Sequence, residues 1–249
     1  LLSLPGLFAL PVLDRDEGRF TEASSEMMES GDFVVIRYHD ELRNKKPVAI
    51  HWFQSMAVSL TSGAHERNIW DYRIPSMLGA IMASLATFWG GLALFTRRAA
   101  FISAIVIGTT LLLTTEANIG KTDAALCGFM TLGLAALAHI RAGATSKRLS
   151  ILFWACLSIG VLLKGPLLVM LVGPAGATPA VLERSVRWLI VLKAVAGGGG
   201  HEAFAAAAVA ARDVRRAHGD IRRERSAGGV EGGKVTFLAR DIELGLVRQ

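Results

Sequence analysis

Residues 74–96, IPSMLGAIMASLATFWGGLALFT, run for 23 positions without a charged side chain. A helix of about 20 apolar residues, with a usual range of roughly 17–25, crosses the hydrocarbon core of a bilayer, so this block is long enough to span. Two more such blocks follow, Ala99 to Thr115 and Ala124 to Ile140, and then two that are short or interrupted, Leu149 to Leu163 and Gly165 to Leu182. One block alone would also suit the core of a large soluble protein. Five in succession within 249 residues point instead to a membrane. The composition agrees: 52% of the residues are hydrophobic and the mean hydropathy is +0.42, too apolar for an ordinary soluble domain. The expected fold is an all-α polytopic membrane protein.

The net charge is +6, and its placement orients the spans. Arg97 and Arg98 follow the first full block, Arg141, Lys147 and Arg148 lie between the third and fourth, and Arg184, Arg187 and Lys193 follow the fifth. Short loops rich in Lys and Arg stay in the cytoplasm. Alternation then puts residues 14–73, residues 116–123 and the neighbourhood of Lys164 on the other side. A nucleic-acid partner is not expected, because the cations flank apolar spans and form no stripe on one face. Leu1 to Leu13 has no basic start and no small-residue cleavage site, so it is not read as a signal peptide. With Pro5 and Pro11 inside it, it reads as the outer end of a span whose beginning is absent. Cys127 and Cys156 each stand alone within a block, without metal or redox spacing, and read as packing residues.

The stretch from 14 to 73 is an external loop with its own structure. Residues 14–30 read as a surface helix, with Phe20, Ala23 and Met27 on the inner face and Glu22, Glu26 and Glu29 on a solvated one. Gly31-Asp32 ends it. Phe33 to Tyr38 is β-branched and reads as extended. Pro47 to Leu60 reads as a second interfacial helix, too short to span, with Pro47 at its start and Trp52 at the headgroup level. After about residue 196 the chain turns to Gly, Ala and Arg. We read residues 1–196 as a transmembrane domain and 197–249 as a low-complexity tail, poorly ordered or a non-native continuation.

With this topology Asp16, Glu17, Arg19, Lys46, Asp123 and Lys164 fall on one side of the membrane. Ionisable residues at membrane boundaries often serve as plain anchors. Four regions converging on one face form a mixed cluster instead. Such a cluster suits a lipid phosphate leaving group, neutralised by the cations, and an incoming hydroxyl whose proton a carboxylate accepts. Lys164 precedes Gly165-Pro166, and proline disfavours helix at the residue before it, so a break is expected there, the alternative being one continuous span from Leu149 to Val172 with Lys164 inside it. The same charges would also fit a transporter or flippase for an anionic lipid or small anion, although no internal repeat supports that. A non-catalytic membrane fragment is the third possibility.

At these residues the sequence resembles a family. DEGRFTEASSEMMESGDFVVIRY (16–38) followed by NKKPVAIHWFQS (44–55) is similar to the first external loop of lipid-carrier-dependent glycosyltransferases. These are the aminoarabinose-transferase (ArnT) and protein O-mannosyltransferase-like enzymes of the GT-C fold. The family pattern stands here as Asp16-Glu17-Gly18-Arg19, Gly31-Asp32-Phe33, Lys46-Pro47 with Trp52, Thr122-Asp123-Ala124 and Lys164-Gly165, in that order. The resemblance implies transfer of a sugar from a polyprenyl-phosphate carrier to an extracytoplasmic acceptor: a lipid A-type lipid, a protein or a glycan. It implies Asp16 as the catalytic carboxylate and Arg19, Lys46 and Lys164 as the carrier-phosphate cations. Asp123 would orient one of those cations or the acceptor, and Glu17 stands beside them among the substrate-binding residues. No cofactor is expected. The Glu that the family places before Lys-Pro, a possible metal ligand, is Lys45 here, and the second proline is Val48.

Overall fold

The computed structural model describes residues 4–12, 14–38, 41–42, 47–61, 68–165, 167–168 and 170–172. All of them belong to the first of two units into which the chain divides, Leu1–Ala211. Lys46 and the 197–249 tail lie outside the described residues. The elements in chain order are α1 (Leu4–Ala9), α2 (Arg15–Ser30), β1 (Arg37–Tyr38), β2 (Glu41–Leu42), α3 (Ala49–Leu60), α4 (Ile69–Leu94), α5 (Arg97–Thr109), α6 (Leu111–Ala117), α7 (Asp123–Arg141) and α8 (Lys147–Lys164).

α4 carries the apolar block from which the fold was read. Its 26 residues span about 39 Å at 1.5 Å per residue, more than the roughly 30 Å of a hydrocarbon core. α4 and α7 are each long and apolar enough to cross a membrane. They run parallel along a seam of small residues. A Cβ on Gly79 would lie 2.5 Å from the Ala124 carbonyl oxygen, and one on Gly90 would lie 2.8 Å from the Ala135 Cβ. Gly128 meets the Gly79 backbone in the same way, at 2.5 Å. In lipid no hydrophobic force drives helices together, so close backbone approach through small residues is what holds such a pair.

α5 returns antiparallel to α4, with Gly91 beside Ala100 and Gly108 beside Ser84. Phe101, Ile102, Ile105 and Val106 are exposed, as a lipid-facing surface requires. Here the structure departs from the sequence reading. The block 99–115 is not one straight helix: α5 and α6 meet at a 58° bend. Thr110, at the junction, has extended backbone (φ −60°, ψ 133°). The hydroxyls of Thr109 and Thr110 turn back to the carbonyls of Ile105 and Ile107, at 2.8 and 2.7 Å. Two adjacent β-branched residues with such alternative bonds weaken a helix where they meet. α8 runs antiparallel to α7, with Gly133 against Cys156, and stops at Lys164. Gly165 takes φ +76°, a conformation open to glycine, so the expected break falls there.

The two surface helices form as expected. Asp14 caps α2, its Oδ1 accepting the Asp16 N–H at 2.7 Å, and Gly31 closes it at φ +68°. Phe20, Ala23 and Met27 are buried. α3 begins at Ala49, so Pro47 precedes the helix and does not occupy its first position. Phe33 to Tyr38 is extended only at its end. Asp32 Oδ1 accepts the N–H groups of Val34 and Val35 at 3.0 and 3.1 Å, which turns the chain before β1 pairs antiparallel with β2.

Candidate functional site

Helix directions set the site. α4 and α7 begin, and α8 ends, at the same end of the bundle, where α2 and the loop 118–122 also lie. Arg97, Arg98, Arg141, Lys147 and Arg148 lie at the opposite ends of these helices.

Beneath the site is a buried clamp. Arg73 and Glu17 are both fully buried and pair through two parallel bonds: Nε to Oε1 at 2.6 Å and Nη2 to Oε2 at 3.0 Å. The remaining Arg73 donors reach the carbonyls of Leu7 (3.3 Å), Leu10 (2.7 Å) and Pro11 (2.9 Å) where α1 ends. All five guanidinium N–H groups are thereby used. Glu17 Oε1 also accepts the Gly120 N–H at 2.8 Å. The Gly120 carbonyl accepts from Gln54 Nε2 at 3.1 Å, and that same nitrogen donates to the Tyr72 carbonyl at 3.2 Å. Gln54 Oε1 in turn accepts from Ser24, whose hydroxyl also meets His51 Nδ1. α2, α3 and α4 thus grip one glycine of the 118–122 loop. A buried ion pair with its other hydrogen-bonding positions satisfied is expensive to break, at about 3–5 kcal/mol when one partner is removed.

On this base stand three ion pairs. Asp16 and Arg19, one turn apart on α2, pair at 3.4 Å and are both partly exposed. Asp123, the first residue of α7, pairs with Lys164, the last of α8. Lys121 pairs with Asp14 at the start of α2. Burial lowers the Lys121 pKa, but its bond to Asp14 and the charges of Asp14, Glu116 and Asp16 outweigh this and raise it above 10.5. The ammonium is therefore charged at neutral pH, and the stability of this pair is lost only as pH rises through that elevated value.

The structure brings Asp123 and Lys164 into contact, and likewise Asp16 and Arg19. Lys121 stands two residues before Asp123 and pairs with Asp14, two residues before Asp16, so this pair ties the start of α2 to the loop that leads into α7. Glu17 is different. Its oxygens are taken by Arg73 and Gly120, and none reaches solvent. Arg73, Lys121 and Asp14 were not singled out from the sequence. Arg73 did leave a signal, since a cation in the first turns of a span opposes the helix dipole and needs an anionic partner. Among the described residues no group of three or more His, Cys, Asp or Glu is placed to hold a metal ion.

A helical bundle of spanning length, with mixed charge pairs gathered at one end beside α2 and α3, is the architecture of a polytopic membrane protein. Residues 18–195 match the family described as dolichyl-phosphate-mannose-protein mannosyltransferase, and the chain belongs to that family. The fold is that of ArnT from Cupriavidus metallidurans. The apo crystal structure superposes with a TM-score of 0.76 at 21% identity, over 90% of this chain and 40% of that one. The form bound to undecaprenyl phosphate gives 0.68 at 22%, over 84% and 39%. Among curated proteins, the chain is similar to the undecaprenyl phosphate-alpha-4-amino-4-deoxy-L-arabinose arabinosyl transferase of Pectobacterium atrosepticum. The two are 28% identical over 196 residues, 74% of this chain and 34% of the relative. The corresponding protein of Pectobacterium carotovorum is 30% identical over 152 residues, 57% and 26%. The chain thus matches between about a quarter and a third of the length of these relatives.

Proposed function

We propose that this chain forms the donor side of a glycosyltransferase that takes a sugar from a polyprenyl-phosphate carrier and passes it to an acceptor outside the cytoplasm. The observation that supports the reading is the Lys121–Asp14 pair, which ties the start of α2, where Asp16 and Arg19 pair, to the loop leading into the Asp123–Lys164 pair, within a chain of this family. The donor class follows from the relatives: an undecaprenyl-phosphate-linked aminopentose is the first candidate, and a lipid A-type lipid, a protein or a glycan is the acceptor. Residues 14–73 would face the outside of the inner (plasma) membrane.

In this reading the acceptor oxygen attacks the anomeric carbon as the bond from that carbon to the phosphate oxygen breaks, inverting the configuration. The lipid phosphate leaves with the electron pair. Arg19, Lys164 and Lys46 neutralise it. Asp16 takes the acceptor's proton. Asp123 holds Lys164 in place, and Glu17 acts as a positioning residue through Arg73 and Gly120. The first test is binding. The purified chain in nanodiscs, titrated with undecaprenyl phosphate and with the phosphate-free polyprenol, is expected to bind the phosphate at least tenfold more tightly. Equal affinity for the two would sink the carrier-phosphate reading.

A further inference from the structure

Lys121 lies in the loop between α6 and α7, and its backbone is fixed from several sides. The Gly120 N–H and C=O are held by Glu17 and Gln54. The Lys121 carbonyl accepts from Ser76 Oγ at 2.9 Å, and its N–H donates to the Ile119 carbonyl at 2.8 Å. What remains free to move is the side chain, four methylenes ending in an ammonium whose edge reaches solvent. At rest that ammonium sits on Asp14 Oδ2. Asp14 divides its work between its oxygens, since Oδ1 caps α2 through the Asp16 N–H. The lysine can therefore leave without uncapping the helix.

The chemistry of sugar transfer supplies the reason for it to leave. A sugar linked to a lipid phosphate is a diester with one negative charge. Once the sugar departs, the phosphate is a monoester with a second pKa near 6, carrying about −1.5 to −2 at neutral pH. The site must meet an additional charge that exists only as the bond breaks and afterwards, when a preplaced cation contributes most. Each described cation of the site has an anion at rest, Arg19 on Asp16, Lys164 on Asp123 and Lys121 on Asp14, so the added charge must be met by a cation that leaves its partner. Lys121 stands two residues before Asp123, and its partner Asp14 stands two residues before Asp16.

Resting on the carrier-phosphate reading, we propose that Lys121 is a further phosphate-binding cation. It is stored on Asp14 and swings to the carrier phosphate as its charge develops. The ligand it prefers is a phosphate monoester on a lipid, the released carrier.

The test uses the purified chain in nanodiscs and undecaprenyl phosphate as probe, read by calorimetry. Lys121→Gln is expected to weaken binding about tenfold, the loss of one charge-assisted bond. Asp14→Asn is expected to tighten it several-fold, because Asn caps a helix as well as Asp does but no longer holds the lysine. Lys121→Arg should restore binding to within about threefold of the parent. A pair that is merely structural predicts the opposite sign for Asp14→Asn, so weakening in that variant overturns the proposal even if Lys121→Gln fails to fold. Parent-like binding in Lys121→Gln, with binding lost in Lys164→Gln, overturns the role of Lys121 alone. Absence of binding by the parent chain overturns the carrier-phosphate reading and this proposal with it.

Discussion

Asp16 and Glu17 are adjacent carboxylates with different surroundings: one is partly exposed beside Arg19, the other fully buried against Arg73. Neighbours on a helix point about 100° apart, so a single surface cannot use both. The two should therefore fail in different ways. In a chimaera joining residues 1–196 to the part of the P. atrosepticum relative that follows the matched region, Asp16→Asn should cut sugar transfer by about 10²–10⁴-fold, the usual weight of a general base. Its thermal midpoint should stay near the parent's. Glu17→Gln should instead cost about 3–5 kcal/mol of stability, because it strands the Arg73 charge in the interior. Thermal unfolding in detergent, set beside the transfer rate, separates them. Full transfer by Asp16→Asn would remove it from the reaction. The i, i+3 spacing already favoured Asp16 over Glu17, since it places Asp16 and Arg19 on one face. The partner of Glu17 was not legible, because Arg73 is 56 residues away and only the packing of α2 against α4 brings it near. Lys121 was hidden for the same reason, 107 residues from Asp14.

Elements whose ends carry their own chemistry were legible. α2 has Asp14 to start it and Gly31 to stop it, and α8 ends where Gly165 follows Lys164. The bend at Thr110 was not legible: threonine is tolerated inside helices, and whether two of them break one depends on what packs around them. The small-residue seam of α4 and α7 was equally silent, since glycines in an apolar block name no partner. That seam makes a prediction about elements. Gly79→Val would drive a branched side chain into the Ala124 backbone, so the α4–α7 pair should separate, at a cost of about 1–3 kcal/mol or more. Gly18, inside α2, has only the Val12 Cγ1 at 3.9 Å beyond its own turn. Gly18→Ala should therefore stabilise α2 by about 0.4–1 kcal/mol. Midpoints that moved together, both down or both unchanged, would contradict this account of the seam.

For the molecule as a whole, the orientation of the helices across the membrane rests on charge. The α4–α5 and α7–α8 turns carry Arg97, Arg98, Arg141, Lys147 and Arg148, and the cytoplasmic leaflet retains such loops. The long loop 14–73 carries cations too, but loops of that length obey the rule only weakly, so the short turns decide. Reversing the orientation would place five cations outside and would move Asp16, Lys121 and Lys164 to the cytoplasmic face, against the proposed transfer. The prediction is therefore specific at both ends. In a background with Cys127 and Cys156 replaced by alanine, a cysteine at the exposed position Val34 should react with a membrane-impermeant maleimide in intact cells. A cysteine at the exposed position Arg98 should react only after permeabilisation. Labelling of both from outside would mean that α4 does not cross the bilayer, and the reverse pattern would invert the protein and remove the external site. Labelling at Val34 alone would place the charge cluster on the extracytoplasmic face, as the proposed transfer requires.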